Sequence, residues 1–397
     1  MSAPSGALRV ALLSFAFGAL ASGCPGGDPD ADSGVQDEDS GVSEADGGSP
    51  PDAGPAPDAG AEDPPVPPSG TFGWVAHPEV DALMADRWAP AIADLGGGRA
   101  LVFGGADIDS FGGSPLDDVY RFDGRGAVPT FTPVELSSTN PLDPPLSPDP
   151  RYCGCAAFDP LRNEVLVIGG RSLQTFYTDI WRLDLDNNTF TEVGQGPAAL
   201  LGCAITWHPA DDSFYLFGGA SMSGSSNTLY RLASGEDTFS PVAVTSDAEP
   251  SPRYDPWMGS DGTRLIMAGG ARNAQQDFNG DVWAFDPSTG AWLELAANGE
   301  GPVGRRVPWA HLSSTGDRLV FGFGNNGGEV LDDLWTYDLN ADTWTEHTLD
   351  PAPPARGWSP PLPGGDDVIG YLLGGFDLGD PVADLWRLDA DADDPGF

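Results

Sequence analysis

The sequence predicts an all-β protein assembled from six copies of one structural unit. Three observations carry this expectation. A short apolar run that closes on a glycine pair recurs from residue 100 to residue 375. Each copy is followed at 11 to 15 residues by a Tyr or Trp. The 54 Gly and 39 Pro among 397 residues favour many turns and short elements over long helices.

The chain opens with features of export. Arg9 precedes the apolar run from Val10 to Leu20, and Ala21, Ser22, Gly23 and Cys24 follow. One positive charge, a short apolar core and a small-residue cleavage site describe a secretory signal over 1–23. The core is too short to span a bilayer. Leu20 to Cys24 resembles a bacterial lipobox, which implies lipidation of Cys24; the plainer alternative is an ordinary signal peptide with an incidental Cys. Pro25 after that Cys resembles the pattern of outer-membrane sorting. The expected location is therefore the bacterial cell envelope, on the outer membrane, with membrane contact only through the lipid. Residues 25–70 carry twelve acids, no basic residue, ten Pro and nine Gly. Such a segment cannot bury enough apolar surface to offset its ordering entropy, so 24–70 reads as a lipidated Cys and a disordered tether.

The remainder, 71–397, is the repeat. The apolar runs end at Gly104-Gly105, Gly169-Gly170, Gly218-Gly219, Gly269-Gly270, Phe323-Gly324 and Gly374-Gly375. The aromatics that follow are Tyr120, Trp181, Tyr230, Trp283, Trp335 and Trp386, with an Asp two places before each except in the third copy, which has Thr228. A second aromatic comes nine residues later in four copies (Phe190, Phe239, Trp292, Trp344) and eleven later in the first (Phe131). This pattern resembles the Kelch repeat, and the resemblance covers essentially all of 71–397. It implies a β-propeller with one four-stranded blade per copy. The second Gly recurs at steps of 65, 49, 51, 54 and 51, so the implied ring has six blades.

Within a blade, strand b carries the buried run, and its Gly pair permits positive φ and close backbone approach. The aromatics on strands c and d supply flat surfaces for packing between blades. Asp186 and Asp286 fall in turn sequences joining c to d. The sixth copy lacks an outer strand, whereas the stretch around Trp74 resembles the strand around Trp344 without a blade of its own. The N-terminal strand is therefore expected to complete the sixth blade and close the ring.

Cys155 and Cys203 occupy matching places on the innermost strands of neighbouring blades, with Cys153 two residues before Cys155. One disulfide among them is allowed in an exported protein; small buried thiols near the axis are the competing expectation. The four His residues (His77, His208, His311, His347) show no metal-ligand spacing, and no P-loop, nucleophile elbow or dinucleotide fingerprint is present. No cofactor and no metal are expected. The paired His and Tyr ligands of the galactose-oxidase-like propellers are not assembled here.

The charge narrows the partners. Sixty acidic residues face 18 basic ones, every one of them Arg, for a net charge of −42. A surface this acidic repels phosphate backbones and anionic lipid, so nucleic acid is excluded as a partner. The family resemblance implies a monomeric, non-catalytic scaffold for a protein or glycan ligand. The alternative by resemblance is a periplasmic Kelch enzyme acting on a sugar, like the sialate mutarotases, which needs a carboxylate and an Arg or His converging at the central mouth.

In a blade of four antiparallel strands, the b–c and d–a connections emerge on one face. Length variation concentrates there, at 106–117, 271–280 and 132–150, and variable loops on a rigid scaffold are where function usually sits. The same face receives an Arg just before strand a in five copies: Arg87, Arg151, Arg253, the pair Arg305 and Arg306, and Arg356. The third copy has Leu200 or Leu201. These Arg residues are the candidate ligand-binding set, a positive mouth for an anionic ligand. The competing reading is that each pairs with an Asp or carbonyl of the adjoining blade.

Overall fold

The structure is a computed structural model that describes residues 72–78, 80, 87–107, 113–138, 143–197, 200–221, 223–272, 277–365, 367–377 and 380–390. The signal segment, the Cys24 lipidation site and the acidic tether lie outside the described residues.

Six antiparallel sheets form the ring, five of four strands and one, in blade 3, with a short fifth strand, Gly224–Ser225, paired to the end of its strand b. Strands a to d of blade 1 are Ala91–Asp94, Arg99–Phe103, Val119–Asp123 and Thr130–Pro133. Those of blade 2 are Cys155–Asp159, Glu164–Ile168, Asp179–Asp184 and Thr189–Gln195. Blade 3 comprises Leu201–His208, Ser213–Ser221, Leu229–Ala233 and Ser240–Pro241, and blade 4 Trp257–Ser260, Leu265–Ala268, Val282–Asp286 and Ala291–Ala296. Blade 5 comprises Trp309–Leu312, Arg318–Gly322, Leu334–Asp338 and Thr343–His347. Blade 6 takes Pro361–Pro363, Val368–Leu373 and Leu385–Asp389 from the C-terminal end and Gly73–Ala76 from the N-terminal end.

Strand b reads as an unbroken apolar run because both of its faces are covered. Side chains alternate across a strand. Leu101 and Phe103 therefore enter the core shared with blade 2, while Ala100 and Val102 enter the core shared with blade 6. The same division sends Val165 and Val167 back to blade 1 and Leu166 and Ile168 on to blade 3. Each neighbouring pair of blades shares such a core, including the sixth with the first, so the sheets close on themselves. The strand d aromatics sit in these interfaces, as Phe190 does against Phe103 of blade 1, with ring centroids 5.8 Å apart.

The closing strand is placed as the sequence predicts. Trp74 lies opposite Leu388 and Val75 opposite Arg387 in an antiparallel pair. Trp74 is buried against Trp309 and Phe323, at centroid distances of 5.3 and 5.6 Å. This contact accounts for the odd residue in the fifth glycine pair. Phe323 takes the left-handed conformation at φ 51°, which costs an L-residue about 1–2 kcal/mol. Its ring in return fills the surface on which the closing strand docks.

Cys155 and Cys203 form a disulfide with Cα atoms 6.2 Å apart, within the range such a bridge requires. Strands a of blades 2 and 3 converge at the axis closely enough to be cross-linked, and this replaces the expectation of buried thiols.

Deleting residues 71–80 should abolish the cooperative thermal transition, because it removes one strand from blade 6 and takes Trp74 out of the interface with blade 5. An unchanged melting temperature measured by circular dichroism would show that the ring closes without this strand.

Candidate functional site

The candidate binding set was built on five repeated Arg positions, and the structure places each of them inside its own blade. Arg151, Arg253, Arg305 and Arg356 are 0–1 % exposed and Arg87 is 3 % exposed. Each guanidinium makes a forked pair with the Asp at the start of strand c. Arg87 meets Asp118 at 2.9 and 2.9 Å, Arg151 meets Asp179 at 2.6 and 2.8 Å, and Arg253 meets Asp281 at 2.6 and 2.9 Å. Arg305 meets Asp333 at 2.5 and 2.7 Å, and Arg356 holds Asp384 in the same way. Nη1 also donates to the carbonyl that opens each glycine pair: Gly104, Gly169, Gly269, Phe323 and Gly374. In four blades the Trp of strand c adds its indole N–H to the same carboxylate at 2.7–2.9 Å.

The main chain of the same Arg reaches the blade before it. The carbonyls of Arg151, Arg253, Arg305 and Arg356 accept from the second Gly of the preceding pair at 2.8–3.0 Å. A Cβ at Gly104 would lie 2.6 Å from the Arg151 carbonyl oxygen, which is why this position must be Gly. Each of these four Arg residues thus fastens two blades, its side chain in one and its backbone in the other. The Asp belongs to the Arg's own blade and not to the adjoining one. Burial pushes the Asp179 carboxyl up, and the hydrogen bonds from Arg151 and Trp181 outweigh it, leaving the group below its ordinary value of 3.8. Its pairing stabilises the fold above about pH 4 and is lost as pH falls further.

Blade 3 lacks both ends of the clamp. Leu200 stands in the Arg position, since its carbonyl accepts from Gly170 at 3.2 Å, and Thr228 stands in the Asp position. The two exceptions are one event, the loss of a single pair.

Two residues after each clamp position, the chain reaches the axis. Ala89, Cys153, Gly202, Asp255, Val307 and Trp358 all have φ between 47° and 61°. Their amides and carbonyls link head to tail around the axis. Cys153 donates to Ala89, Gly202 to Cys153, Asp255 to Gly202, Val307 to Asp255 and Ala89 to Trp358, at 2.6–3.3 Å. Left-handed φ at five non-glycine residues, one of them β-branched, is strained backbone held by the surrounding ring.

Below this belt lies a cavity of about 160 Å³ on the axis, walled by the belt residues with Pro90, Pro256, Pro308, Pro360, Trp257 and Ser359 among others. Asp255 is 6 % exposed, and its Oδ2 has no hydrogen-bond partner. Burial raises its pKa to about 7 against a smaller opposing effect of the Arg306 charge.

Above the belt lies an aromatic mouth. Trp88 and Tyr152 pack with centroids 4.9 Å apart. Two half-buried cations sit on this surface. Arg306 lies over Trp358 at 4.9 Å and Tyr254 at 5.9 Å, and Arg171 lies over Phe176 at 5.0 Å and Tyr152 at 5.6 Å. They belong to blades 5 and 2, on opposite sides of the ring. Of the six candidate Arg residues, Arg306 alone sits at the mouth. Arg171 and Asp255 escaped sequence reasoning because each occurs in one blade only, outside the repeated pattern. Among the described residues, no group of three or more His, Cys, Asp or Glu side chains is placed to hold a metal ion.

A family model described as the KLHDC2/KLHL20/DRC7 Kelch-repeats domain matches residues 91–324 and, in a second register, 193–360. The mouse Rab9 effector protein with kelch motifs is 27 % identical over 195 residues, which is 45 % of this chain and 49 % of that protein. The human Kelch domain-containing protein 1 is 29 % identical over 247 residues, 52 % of this chain and 58 % of that protein. Mouse Multiple epidermal growth factor-like domains protein 8 is 29 % identical over 189 residues, 45 % of this chain and 7 % of that much longer protein. The matches thus span about half the length of the first two relatives and a small part of the third.

Installing the missing clamp tests its role. Leu200→Arg alone should destabilise the fold by about 3–5 kcal/mol, the usual cost of an unpaired buried charge. Adding Thr228→Asp should recover most of that loss in urea denaturation. Equal stability of the single and double variants would contradict the pairing.

Proposed function

The chain belongs to the Kelch-repeat family, and from that premise we propose that it is a non-catalytic binding propeller that takes an anionic protein or glycan ligand at its central mouth. The observation that carries this is the pair of half-buried guanidinium groups, Arg171 and Arg306, set on aromatic faces across the opening. Guanidinium offers forked donors to carboxylates, and in a protein of net charge −42 two such groups at one opening select where an anion can approach. Aromatic side chains beside them supply apolar contact for a peptide or a sugar face. The five clamped Arg residues hold the frame and do not meet the ligand. Lipidation at Cys24 would set this propeller on the bacterial envelope, at the outer membrane, with 25–70 as its tether and no need for a second copy.

The test is capture from an envelope extract by the full chain, followed by a glycan array. Arg171→Ala with Arg306→Ala should lower capture at least tenfold while the melting temperature stays within a few degrees. Capture retained in this double variant would sink the reading. Exchange of sialic-acid anomers by the wild type, lost in Asp255→Asn, would instead establish the enzymatic alternative. Cys24→Ser should release the protein from membranes; retention would remove the anchor from the account.

A further inference from the structure

The junction between blades 2 and 3 is built differently from its neighbours. At four other junctions an Arg carbonyl accepts from the second Gly of the preceding pair at 2.8–3.0 Å, while the Arg side chain grips its own blade. Here Leu200 offers its carbonyl at 3.2 Å and brings no guanidinium, and Thr228 brings no carboxylate. The belt contact at the same place is also long. The Gly202 amide meets the Cys153 carbonyl at 3.3 Å, against 2.6–3.2 Å for the other four belt contacts. Gly202 is the one glycine in the belt, and glycine gives up more conformational freedom on ordering than any other residue.

The disulfide from Cys155 of blade 2 to Cys203 of blade 3 crosses this same junction. A covalent link therefore stands where the polar clamp is missing. Its span of 48 residues matters, because a cross-link opposes opening by restricting the freedom of the opened chain. The far end of the junction has polar ties of its own. Ser234 donates to Asp159 at 2.6 Å, and Arg182 donates to Asp237 at 3.3 Å and to the Glu236 carbonyl. Asp159 ends strand a of blade 2 and residues 234–237 follow strand c of blade 3, so these ties lie on the face away from the mouth.

We propose that the Cys155–Cys203 disulfide stands in for the missing clamp and makes this junction a redox-sensitive seam. Reduction frees the mouth end of blade 3 from blade 2 while the far end stays tied. The reductant is a dithiol. One of its thiols, as the thiolate, attacks a sulfur of the bridge, forms a mixed disulfide and expels the other cysteine, which takes up a proton. The second thiol of the reductant loses its proton and displaces the remaining cysteine, which is protonated in turn. The reductant leaves as a disulfide, and the protein has gained two electrons and two protons. Leu201 of blade 3 packs with Trp88 and Tyr152 in the cluster at the mouth, so opening of the seam begins there.

Hydrogen–deuterium exchange of the full chain, with and without dithiothreitol, tests this once mass spectrometry confirms that the bridge has opened. The Gly170 and Gly202 amides should exchange at least about tenfold faster in the reduced protein. Those of Gly105, Gly219, Gly270 and Gly324, at the clamped junctions, should stay within about twofold. Cys155→Ala with Cys203→Ala should reproduce the effect without reductant, and adding Leu200→Arg with Thr228→Asp should return both amides towards the oxidised rate. Unchanged exchange at Gly170 and Gly202 after reduction would overturn the proposal. Equal acceleration at all six glycines would do the same, because it describes a general loss of stability. A folded fourfold variant that exchanges as fast as the cysteine variant would show that the bridge does not replace the clamp. The wild-type comparison decides the matter even if the variants fail to fold.

Discussion

The forked Arg–Asp clamp is the interaction on which this propeller depends. It solves two problems with one residue. The turn from strand b must expose carbonyls that no strand can pair, and the Arg side chain takes one of them together with the carboxylate that opens strand c. The next blade must be held at a fixed angle, and the Arg main chain does that by accepting from the second Gly of the preceding pair. Buried ion pairs often fail to stabilise because desolvation offsets the attraction. Here the carboxylates of four blades receive a guanidinium fork and an indole N–H, and the guanidinium keeps a further carbonyl partner, so few polar atoms are left unsatisfied. Blade 4 has the most enclosed pair, with Asp281 at 6 % exposure against 39 % for Asp118 of blade 1.

Fixing the clamps fixes the axis. Because each clamp position is followed at two residues by a left-handed residue, five strained residues and Gly202 meet at the centre, linked by five backbone hydrogen bonds. The belt divides the centre into an aromatic mouth above and a cavity below. Arg171 and Arg306 stand at the mouth, and the belt itself carries one buried acid, Asp255. A single chain can hold them close together because the belt is made of main chain and does not depend on which side chains project from it.

Much of this was legible in the sequence, for a definite reason. Features repeated six times at nearly equal spacing give the blade count, the strand order and the register, and the orphan Trp74 gives the closure. The roles of repeated residues were harder to read. Arg253 and Asp281 are each conspicuous, but they lie 28 residues apart and their pairing follows from the turn geometry between strands b and c. The signal was present in blade 3, where Leu200 and Thr228 depart from the pattern together. Single-copy residues left no periodic trace. Asp255, Arg171 and the distinction between Arg305 and Arg306 emerge only once the strands are wrapped around an axis.

The central claim is that the repeated Arg residues hold the frame and leave recognition to others. A double-mutant cycle on the most buried clamp, Arg253→Met and Asp281→Leu by urea denaturation, tests it most directly. Each single variant should lose about 3–5 kcal/mol, because it strands a buried charge, and the double variant should lose clearly less than their sum. Additive losses, or single losses within about 0.5 kcal/mol of wild type as at ordinary surface sites, would show that the clamp does not hold the blades and would return these Arg residues to the list of ligand contacts.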